Sequence, residues 1–516
     1  MSQDTKKKAH GFEKLCLSIE RVGHKIPDPL LIFGYLTLIV FVVSLFIEGH
    51  TLTVPGTENV IETHSLLSKE FFVTFISGIP TAFVSFTPVK YVLILLFGTA
   101  VCSETGLFEV SMKRMLRNVP DSLMVVIIIV FSINGNIVGD GLYAFLPALA
   151  GMMYASKGKN PLLGIVTSYG SIAGAFSACM LIANADVQLA GLTAEAAAVL
   201  NIDTSNITGA MNYYWQAIAA VFLIPVAWFT SEKIVRPILE REEYKLDDNI
   251  VIDGSTDSMT ELTDLQRKGV RNAGISVLIY LAVILTMSIP QNGFLRNAEG
   301  KLIASGTPFM SCLIMMIMFL FFIPGITYGI SAKVIKNDKD LSKILAKGIS
   351  SMSPFLVMCL GASIFNTCFN YTNLASLIAI RGAEWMESVN LTGLPLILFI
   401  VILCSISNLF MPNTISKWVL LAPVMVPMCT LLGFSPAFTT ALYKIGNSTT
   451  NCITPLSSGM IIALGEMQKY RKNTSLGSII SLNIPFAAMF TIFWLLMTII
   501  FYVLQIPLGP EATIFM

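Results

Sequence analysis

The chain of 516 residues has few charged side chains: only 13% of its residues are Asp, Glu, Lys or Arg. Soluble domains carry roughly twice this fraction. Hydrophobic residues make up 54% of the chain, more than a soluble core can enclose, because the ratio of surface to volume limits the buried fraction. The composition therefore predicts an all-α polytopic membrane protein, with lipid as the solvent for much of its surface.

Histidine is scarce, and all four copies, His10, His24, His50 and His64, precede the main apolar body. A histidine-based metal or catalytic site within the membrane is thereby excluded, and no His-Glu-x-x-His motif is present. The phosphate-binding loop G-x-x-x-x-G-K-[ST] is also missing, which argues against a primary pump. None of the nine cysteines forms a CxxC pair, so neither a disulfide framework nor a zinc site is expected. We expect no cofactor.

The net charge is only +1, and no basic stripe is interleaved with aromatic residues, so nucleic-acid binding is not expected. An intramembrane hydrolase would need a nucleophile with a base, and Ser448 with Lys444 is the one conceivable pair. A channel is a third class, but no symmetric selectivity-filter signature is present. These absences favour a carrier over an enzyme or a channel.

Charge in the loops indicates orientation. The N-terminus and the polar segment 231–272 are rich in Lys and Arg, whereas the loop 48–70 is poor in both. The positive-inside rule then places the N-terminus and segment 231–272 in the cytoplasm of a multi-pass protein of the bacterial inner membrane. No cleavable signal peptide is visible. The predicted parts are a cytoplasmic lead-in (1–28), a first membrane half (29–230), a cytoplasmic linker (231–271) and a second membrane half (272–516).

The weaker apolar stretches are the informative ones. Residues 161–189 and 436–464 are rich in Gly, Ser, Thr, Asn and Pro. Backbone that is not helical at membrane depth must be buried in protein or line a cavity. These stretches are therefore predicted to be re-entrant hairpins or broken helices that surround a polar chamber.

The two halves share an order of features that indicates an internal repeat. In each half an apolar piece is followed by a proline-containing break and then by a polar run of small residues. The corresponding features are Pro147, Pro161 and the run 170–177 in the first half, and Pro423, Pro436 and the run 446–451 in the second. Transporters commonly contain such repeats in inverted orientation.

Five segments carry a resemblance to a known family: Leu15–Leu30, Val138–Leu146, Gly174–Ala197, Ser407–Tyr470 and the Pro-Leu-Gly-Pro at 507–510. The chain resembles the p-aminobenzoyl-glutamate transporter (AbgT) family over nearly its whole length. The resemblance implies a homodimer with an inverted-repeat, ion-transporter-like fold of about nine transmembrane helices plus two re-entrant hairpins per subunit. It implies ion-coupled secondary transport of an aromatic-acyl amino acid or related organic anion. Sulfonamide or antimetabolite efflux is the alternative.

The resemblance also implies a substrate site. The family's transport-site positions fall on eight residues of this chain: Asp186, Asn408, Ser416, Trp418, Pro436, Lys444, Asn447 and Pro455. Two of them depart from the family pattern, which has Arg at the position of Lys444 and Asp at the position of Asn447.

An amphipathic dianion needs positive potential for its carboxylates and a flat apolar surface for its ring. Lys444 and the N-termini of broken helices would supply the positive charge, and Trp418 would stack on the ring. Asn408 and Ser416 would orient the ligand by hydrogen bonds. The alternative for Trp418 is ordinary packing. Asp186 is a functional carboxylate within the membrane or an N-cap.

The coupling ion has two candidates. Asn447 cannot carry a proton, but its oxygen with Ser448 and Thr449 can hold a hard cation, which favours sodium. A proton carried by Asp186 is the rival. Asp140 is a further ion-coupling candidate, with helix capping as the alternative.

Two lesser expectations concern Lys417 and the glycines. Lys417 is predicted to extend to the membrane surface. Gly170, Gly174 and Gly446 are predicted to permit tight turns at hairpin tips.

Overall fold

The structure is a computed structural model, and it describes residues 27, 29–53, 60–116, 120, 123–137, 139, 141–200, 202–241, 244–247, 261–303, 307–351 and 353–516. Helices account for most of the described chain, which confirms the predicted all-α class. One small exception is an antiparallel pair of strands, β1 (Thr51–Thr53) and β2 (Val60–Glu62), in which Leu52 faces Ile61.

The described part of the first half contains ten helices. In chain order they are α1 (Pro29–Ile47), α2 (Lys69–Ser85), α3 (Thr87–Glu104), α4 (Leu107–Leu116), α5 (Met124–Asn134), α6 (Gly141–Ser156), α7 (Pro161–Gly174), α8 (Asn184–Ala198), α9 (Tyr213–Phe229) and α10 (Arg236–Leu239). A 3₁₀ turn (Gly135–Ile137) follows α5, and a π-helical turn (Thr230–Val235) joins α9 to α10.

The second half begins after residue 260. Its helices are α11 (Asp264–Ser288), α12 (Pro308–Ser331), α13 (Asp338–Ser351), α14 (Ser353–Tyr371), α15 (Leu374–Ser388), α16 (Gly393–Phe410), α17 (Thr414–Leu431), α18 (Pro436–Asn451), α19 (Ser458–Tyr470) and α20 (Leu476–Leu504). Helix thus extends into both ends of the predicted linker. Most of the predicted lead-in and residues 248–260 of the linker lie outside the described residues.

Eight helices of the described chain are long and apolar enough to cross a membrane, since a span needs about 20 residues. A ninth is obtained if α3 and α4, which meet at an angle of 57°, count as one span. The eight are α1, α9 with α10, α11, α12, α14, α16, α17 and α20. This agrees with the expected number of about nine.

The same succession of helices occurs in both halves. Helices α6, α7 and α8 correspond in order and approximate length to α17, α18 and α19. Pro161 and Pro436 each occupy the first turn of a helix, where a missing N–H costs nothing. The side chains of Asn160 and Ser435 cap these helices by accepting a bond from a backbone N–H of the first turn. The sequence repeat therefore corresponds to a repeat of secondary structure.

Both predicted interruptions are present. Residues 175–183 separate α7 from α8, and residues 452–457 separate α18 from α19. The freed backbone groups of the first break find partners inside the protein, as backbone at membrane depth must. The N–H of Ser177 donates to Ser448 Oγ at 3.0 Å, and the N–H of Met180 donates to Asn134 Oδ1 at 2.9 Å. The first break therefore contacts α18 directly.

The expectation for the glycines was wrong. Gly170 and Gly446 lie inside helices, Gly174 is the last residue of α7, and all three mark places where helices touch. A Cβ at Gly446 would lie 2.7 Å from the carbonyl oxygen of Val401 in α16, and one at Gly170 would lie 2.6 Å from Asn483 Oδ1 in α20. Small residues let membrane helices approach closely, so these glycines serve packing and not turns.

Candidate functional site

A buried ion pair lies where the first break meets α18. The ammonium of Lys444 donates to Asp186 Oδ1 at 2.7 Å and to Gln216 Oε1 at 2.9 Å. Gln216 Nε2 donates to Asp186 Oδ2 at 3.1 Å. The Lys444 and Asp186 side chains are only 3% and 9% exposed. The Lys444 ammonium also lies 6.0 Å from the centre of the Trp215 ring. We name Lys444, Asp186, Gln216 and Trp215 the Lys444 cluster.

The capping role considered for Asp186 is present in this geometry, and the same carboxylate forms an ion pair. Its Oδ2 accepts a bond from the N–H of Ala183 at 2.8 Å, so the carboxylate caps the start of α8. Its Oδ1 at the same time pairs with Lys444. The positive charge expected from Lys444 is thus neutralised in this state. An unpaired charge here would be costly, because little water reaches it.

Sequence reasoning missed Gln216. It lies in the first turn of α9, which was recognised only as an apolar span. Its side chain is 1% exposed, and it bonds both members of the ion pair. A glutamine within an otherwise apolar span was the available signal, because a buried amide needs partners.

A second polar cluster surrounds Lys417 on α17. The Lys417 ammonium donates to Asn408 Oδ1, to Asn447 Oδ1 at 2.8 Å and to the carbonyl oxygen of Met411 at 3.4 Å. It also lies 5.6 Å from the centre of the Tyr443 ring, within the range of a cation–π contact. We name these five residues the Lys417 cluster.

The prediction that Lys417 reaches the membrane surface was wrong. The residue is 1% exposed. The amides of Asn408 and Asn447 provide oxygen acceptors in the interior, so the ammonium has no need to extend towards water. The break between α16 and α17 frees the carbonyl of Met411 as a third acceptor.

Trp418 is completely buried and already has an aromatic partner. Its ring stacks on Tyr443 with centroids 4.3 Å apart and planes 29° apart. Its indole N–H donates to Thr193 Oγ1 at 3.0 Å. In this state the indole packs α17 against α18 and α8, so a ligand would have to displace Tyr443 to stack on it.

The remaining predicted residues are dispersed. Ser416 Oγ contacts Met358 Sδ at 3.0 Å, away from both clusters. Pro455 is buried in the break after α18. Pro436 lines a separate cavity of about 170 Å³. Asp203 lines the same cavity, and two bonds from Ser205, one from its N–H and one from its hydroxyl, lower the pKa of that carboxyl.

The three predicted sodium ligands do not converge. The Asn447 oxygen accepts from Lys417, Ser448 Oγ donates to Ser177 Oγ, and Thr449 Oγ1 donates to the carbonyl oxygen of Ile445. Asp140, the further candidate, lies outside the described residues.

An apolar cavity of about 280 Å³ adjoins the Lys444 cluster. It lies between α9, α12 and the first break, and its walls include Leu181, Ile182, Tyr213 and Leu313. None of the four cluster residues lines the cavity, and Leu181 links the two, because its carbonyl oxygen accepts a bond from Gln216 Nε2 at 3.4 Å. Small-molecule sites are lined predominantly by such hydrophobic and aromatic side chains.

Comparisons with known proteins cover almost the whole chain. The AbgT transporter family matches residues 14–516. The p-aminobenzoyl-glutamate transport protein of Escherichia coli strain K12 is 30% identical over 497 residues, which are 95% of each chain.

Two solved transporters have a similar fold. The YdaH transporter of Alcanivorax borkumensis superposes with a TM-score of 0.87 at 27% identity, covering 94% of this chain and all of the other. MtrF of Neisseria gonorrhoeae, described as illuminating a class of antimetabolite efflux pumps, also gives 0.87 at 27% identity and covers 96% of this chain and all of its own. With its apolar helices and its interrupted segments, the chain is thus a multi-pass membrane protein that belongs to the AbgT transporter family.

Proposed function

We propose that the chain is a secondary active transporter for an aromatic-acyl amino acid or a related organic anion of the p-aminobenzoyl-glutamate type. One observation carries the proposal: a buried Lys–Asp pair lies at a helix break beside an apolar cavity. Packing alone does not account for such a pair, because a buried ion pair is often no more stabilising than apolar packing. Charged groups at membrane depth commonly mark a substrate pathway.

The cavity provides the place for the aryl ring. Its volume of about 280 Å³ lies just below the usual range for small-molecule sites, about 300–1,000 Å³. Its walls are aliphatic and aromatic. The hydroxyl of Tyr213 donates to the carbonyl oxygen of Met180 in the first break. The hydroxyl therefore points towards the break, and the Tyr213 ring forms part of the cavity wall.

The Lys444 cluster provides the place for a carboxylate. A ligand carboxylate competes with Asp186 for the same ammonium, so binding is an exchange of one carboxylate for another. Gln216 bonds both partners and can keep one bond to either during the exchange. The cost of uncovering a buried charge is thereby reduced.

Filling the cavity should weaken the binding of aryl ligands. We expect Leu313→Trp in α12 to raise the dissociation constant of p-aminobenzoyl-glutamate at least tenfold, about 1.4 kcal/mol, because the indole takes the space of the ligand ring. The measurement is equilibrium binding to purified protein. Leu278→Trp is the matched control, since Leu278 is 68% exposed on α11. Equal affinity in both variants would place the ring elsewhere.

We further propose that transport is coupled to an ion gradient, with a proton at Asp186 and sodium at Asn447 as the two candidates. Protonation of Asp186 would release Lys444 for a ligand carboxylate, which links proton and anion in one site. Sodium at Asn447 requires Lys417 to leave, because the Asn447 oxygen accepts from its ammonium. The arrangement of the described residues thus supports the proton more directly than the sodium favoured by the sequence.

Uptake into proteoliposomes separates the two ions. With a proton gradient imposed and sodium absent, p-aminobenzoyl-glutamate should accumulate in the liposomes. Added sulfonamide should compete with this uptake. Asp186→Asn should abolish accumulation but retain exchange of bound for free ligand. Accumulation that occurs only with a sodium gradient would assign the coupling to sodium. Absence of any saturable flux would contradict the carrier itself.

Antimetabolite efflux is the second candidate function. It is supported by the similarity to MtrF, which is associated with antimetabolite efflux pumps. A carrier runs in the direction that its gradients set, so the same site can serve import or export. We also propose that the protein is a homodimer of the inner membrane with two inverted repeats and a cytoplasmic N-terminus, on the basis of the family and the charge of its loops.

A further inference from the structure

The oxygens around Lys417 form a site of their own, distinct from the Lys444 cluster. Two side-chain amide oxygens, from Asn408 and Asn447, and the carbonyl oxygen of Met411 all face the ammonium. They come from α16, from α18 and from the break before α17. The end of α16 with the break that follows it, and the distant helix α18, thus direct neutral oxygens at a single point.

The two amides are fixed in this orientation by their other ends. Asn447 Nδ2 donates to Thr414 Oγ1 at 2.8 Å. Asn408 Nδ2 has acceptors in the carbonyl oxygen of Asn447 at 2.9 Å and in Asn451 Oδ1 at 2.8 Å. Because each NH₂ group is held elsewhere, each oxygen must point inward. The oxygens would therefore converge on the same point without the lysine.

No described carboxylate forms an ion pair with Lys417, in contrast to Lys444. The titratable neighbours are Cys404 on α16 and Tyr443 on α18, and neither carries a negative charge as a thiol or a phenol. The positive charge is therefore held by neutral oxygens alone, together with the Tyr443 ring. Neutral amide and carbonyl oxygens are also ligands that hard cations take.

We propose that this oxygen cluster is a monovalent-cation site and that the Lys417 ammonium is its tethered occupant. The lysine fills the site, so the native chain needs no alkali cation there. Removal of the side chain leaves three converging oxygens and a space that sodium can enter. The inference concerns the cation only. Only one consequence of the inference depends on the proposed transport function: transport by the native protein should not depend on sodium.

The test is the thermal stability of the purified Lys417→Ala variant in sodium chloride and in choline chloride. We expect sodium at about a hundred times its dissociation constant to raise the melting temperature of the variant by about 2.5 °C relative to choline. Methylammonium should do the same, because it replaces the deleted ammonium. The native protein should show no difference between these salts. If the variant is poorly folded, the yield of monodisperse protein extracted in sodium or in choline becomes the measurement, with the higher yield expected in sodium.

The matched control is the double variant Lys417→Ala, Asn408→Leu, which lacks one of the oxygens and should lose the response. Equal stability or equal yield of Lys417→Ala in sodium, methylammonium and choline would overturn the proposal, as would a sodium response in the native protein. Binding of p-aminobenzoyl-glutamate, measured on the native protein, is independent of this result. Failure of the cation site and failure of the proposed substrate can therefore be told apart.

Discussion

Lys444→Met should lose the binding of carboxylate ligands and be strongly destabilised. The loss of affinity should be about 10- to 100-fold, because a bond to a charged group contributes about 1.5–3 kcal/mol. The stability should fall by about 3–5 kcal/mol, since the buried Asp186 loses its partner. The measurements are chemical unfolding and ligand-induced thermal stabilisation with p-aminobenzoyl-glutamate, which should stabilise the native protein by about 2.7 kcal/mol at a hundredfold excess over its dissociation constant.

Asp186→Asn is the variant to compare with Lys444→Met, because it should not weaken the binding of carboxylate ligands. It frees Lys444 from its competitor, so carboxylate ligands should bind as well as, or better than, to the native protein, although the fold is again destabilised. The double variant Asp186→Asn, Lys444→Met should recover part of the lost stability, since no unpaired charge remains. Unchanged carboxylate binding in Lys444→Met would show that Lys444 is not the anion anchor.

Trp418→Ala should be among the most destabilising single changes in the chain. The completely buried indole stacks on Tyr443 and bonds Thr193, so its loss leaves a cavity among α8, α17 and α18. Removal of a buried tryptophan costs about 3–5 kcal/mol. The measurement is the free energy of unfolding in detergent, compared with the native protein.

Trp418→Phe separates packing from ligand contact. It keeps an aromatic ring against Tyr443, loses the bond to Thr193, for about 1 kcal/mol, and leaves empty the part of the indole volume that phenyl does not fill. Thr193→Val is the matched control for that bond. If Trp418 acts through packing, Trp418→Phe should bind p-aminobenzoyl-glutamate normally. A folded Trp418→Phe protein without ligand binding would instead support the prediction that the indole itself touches the substrate ring.

Much of the architecture could be predicted from the sequence, because lipid constrains a chain so strongly. The composition predicted the all-α membrane class, and the concentration of small and polar residues at 161–189 and 436–464 predicted the two interruptions, which are present at 175–183 and 452–457. The glycines were misplaced because glycine serves turns and close helix contacts equally well. Only the positions of neighbouring helices distinguish the two uses.

The site was less predictable than the fold. Asp186 and Lys444 were each recognised as charges at membrane depth, but 258 positions separate them, and composition gives no indication that they pair. Lys417 was misjudged for a similar reason. Its acceptors, Asn408 and Asn447, come from other helices, and an ammonium close to a helix end is ordinarily expected to reach water. A local sequence pattern does not reveal contacts between side chains on different helices.

Helix α18 carries Lys444 and Asn447 less than one turn apart, so both clusters are attached to a single rigid rod. An axial shift of one turn, about 5.4 Å, would pull both residues out of hydrogen-bonding reach of their partners in the same movement. The hydrogen bonds of one cluster cannot then break while those of the other remain, unless α18 unfolds between the two residues. One binding step at the Lys444 cluster would then always coincide with one opening of the lysine-filled oxygen site, because both depend on the same helix.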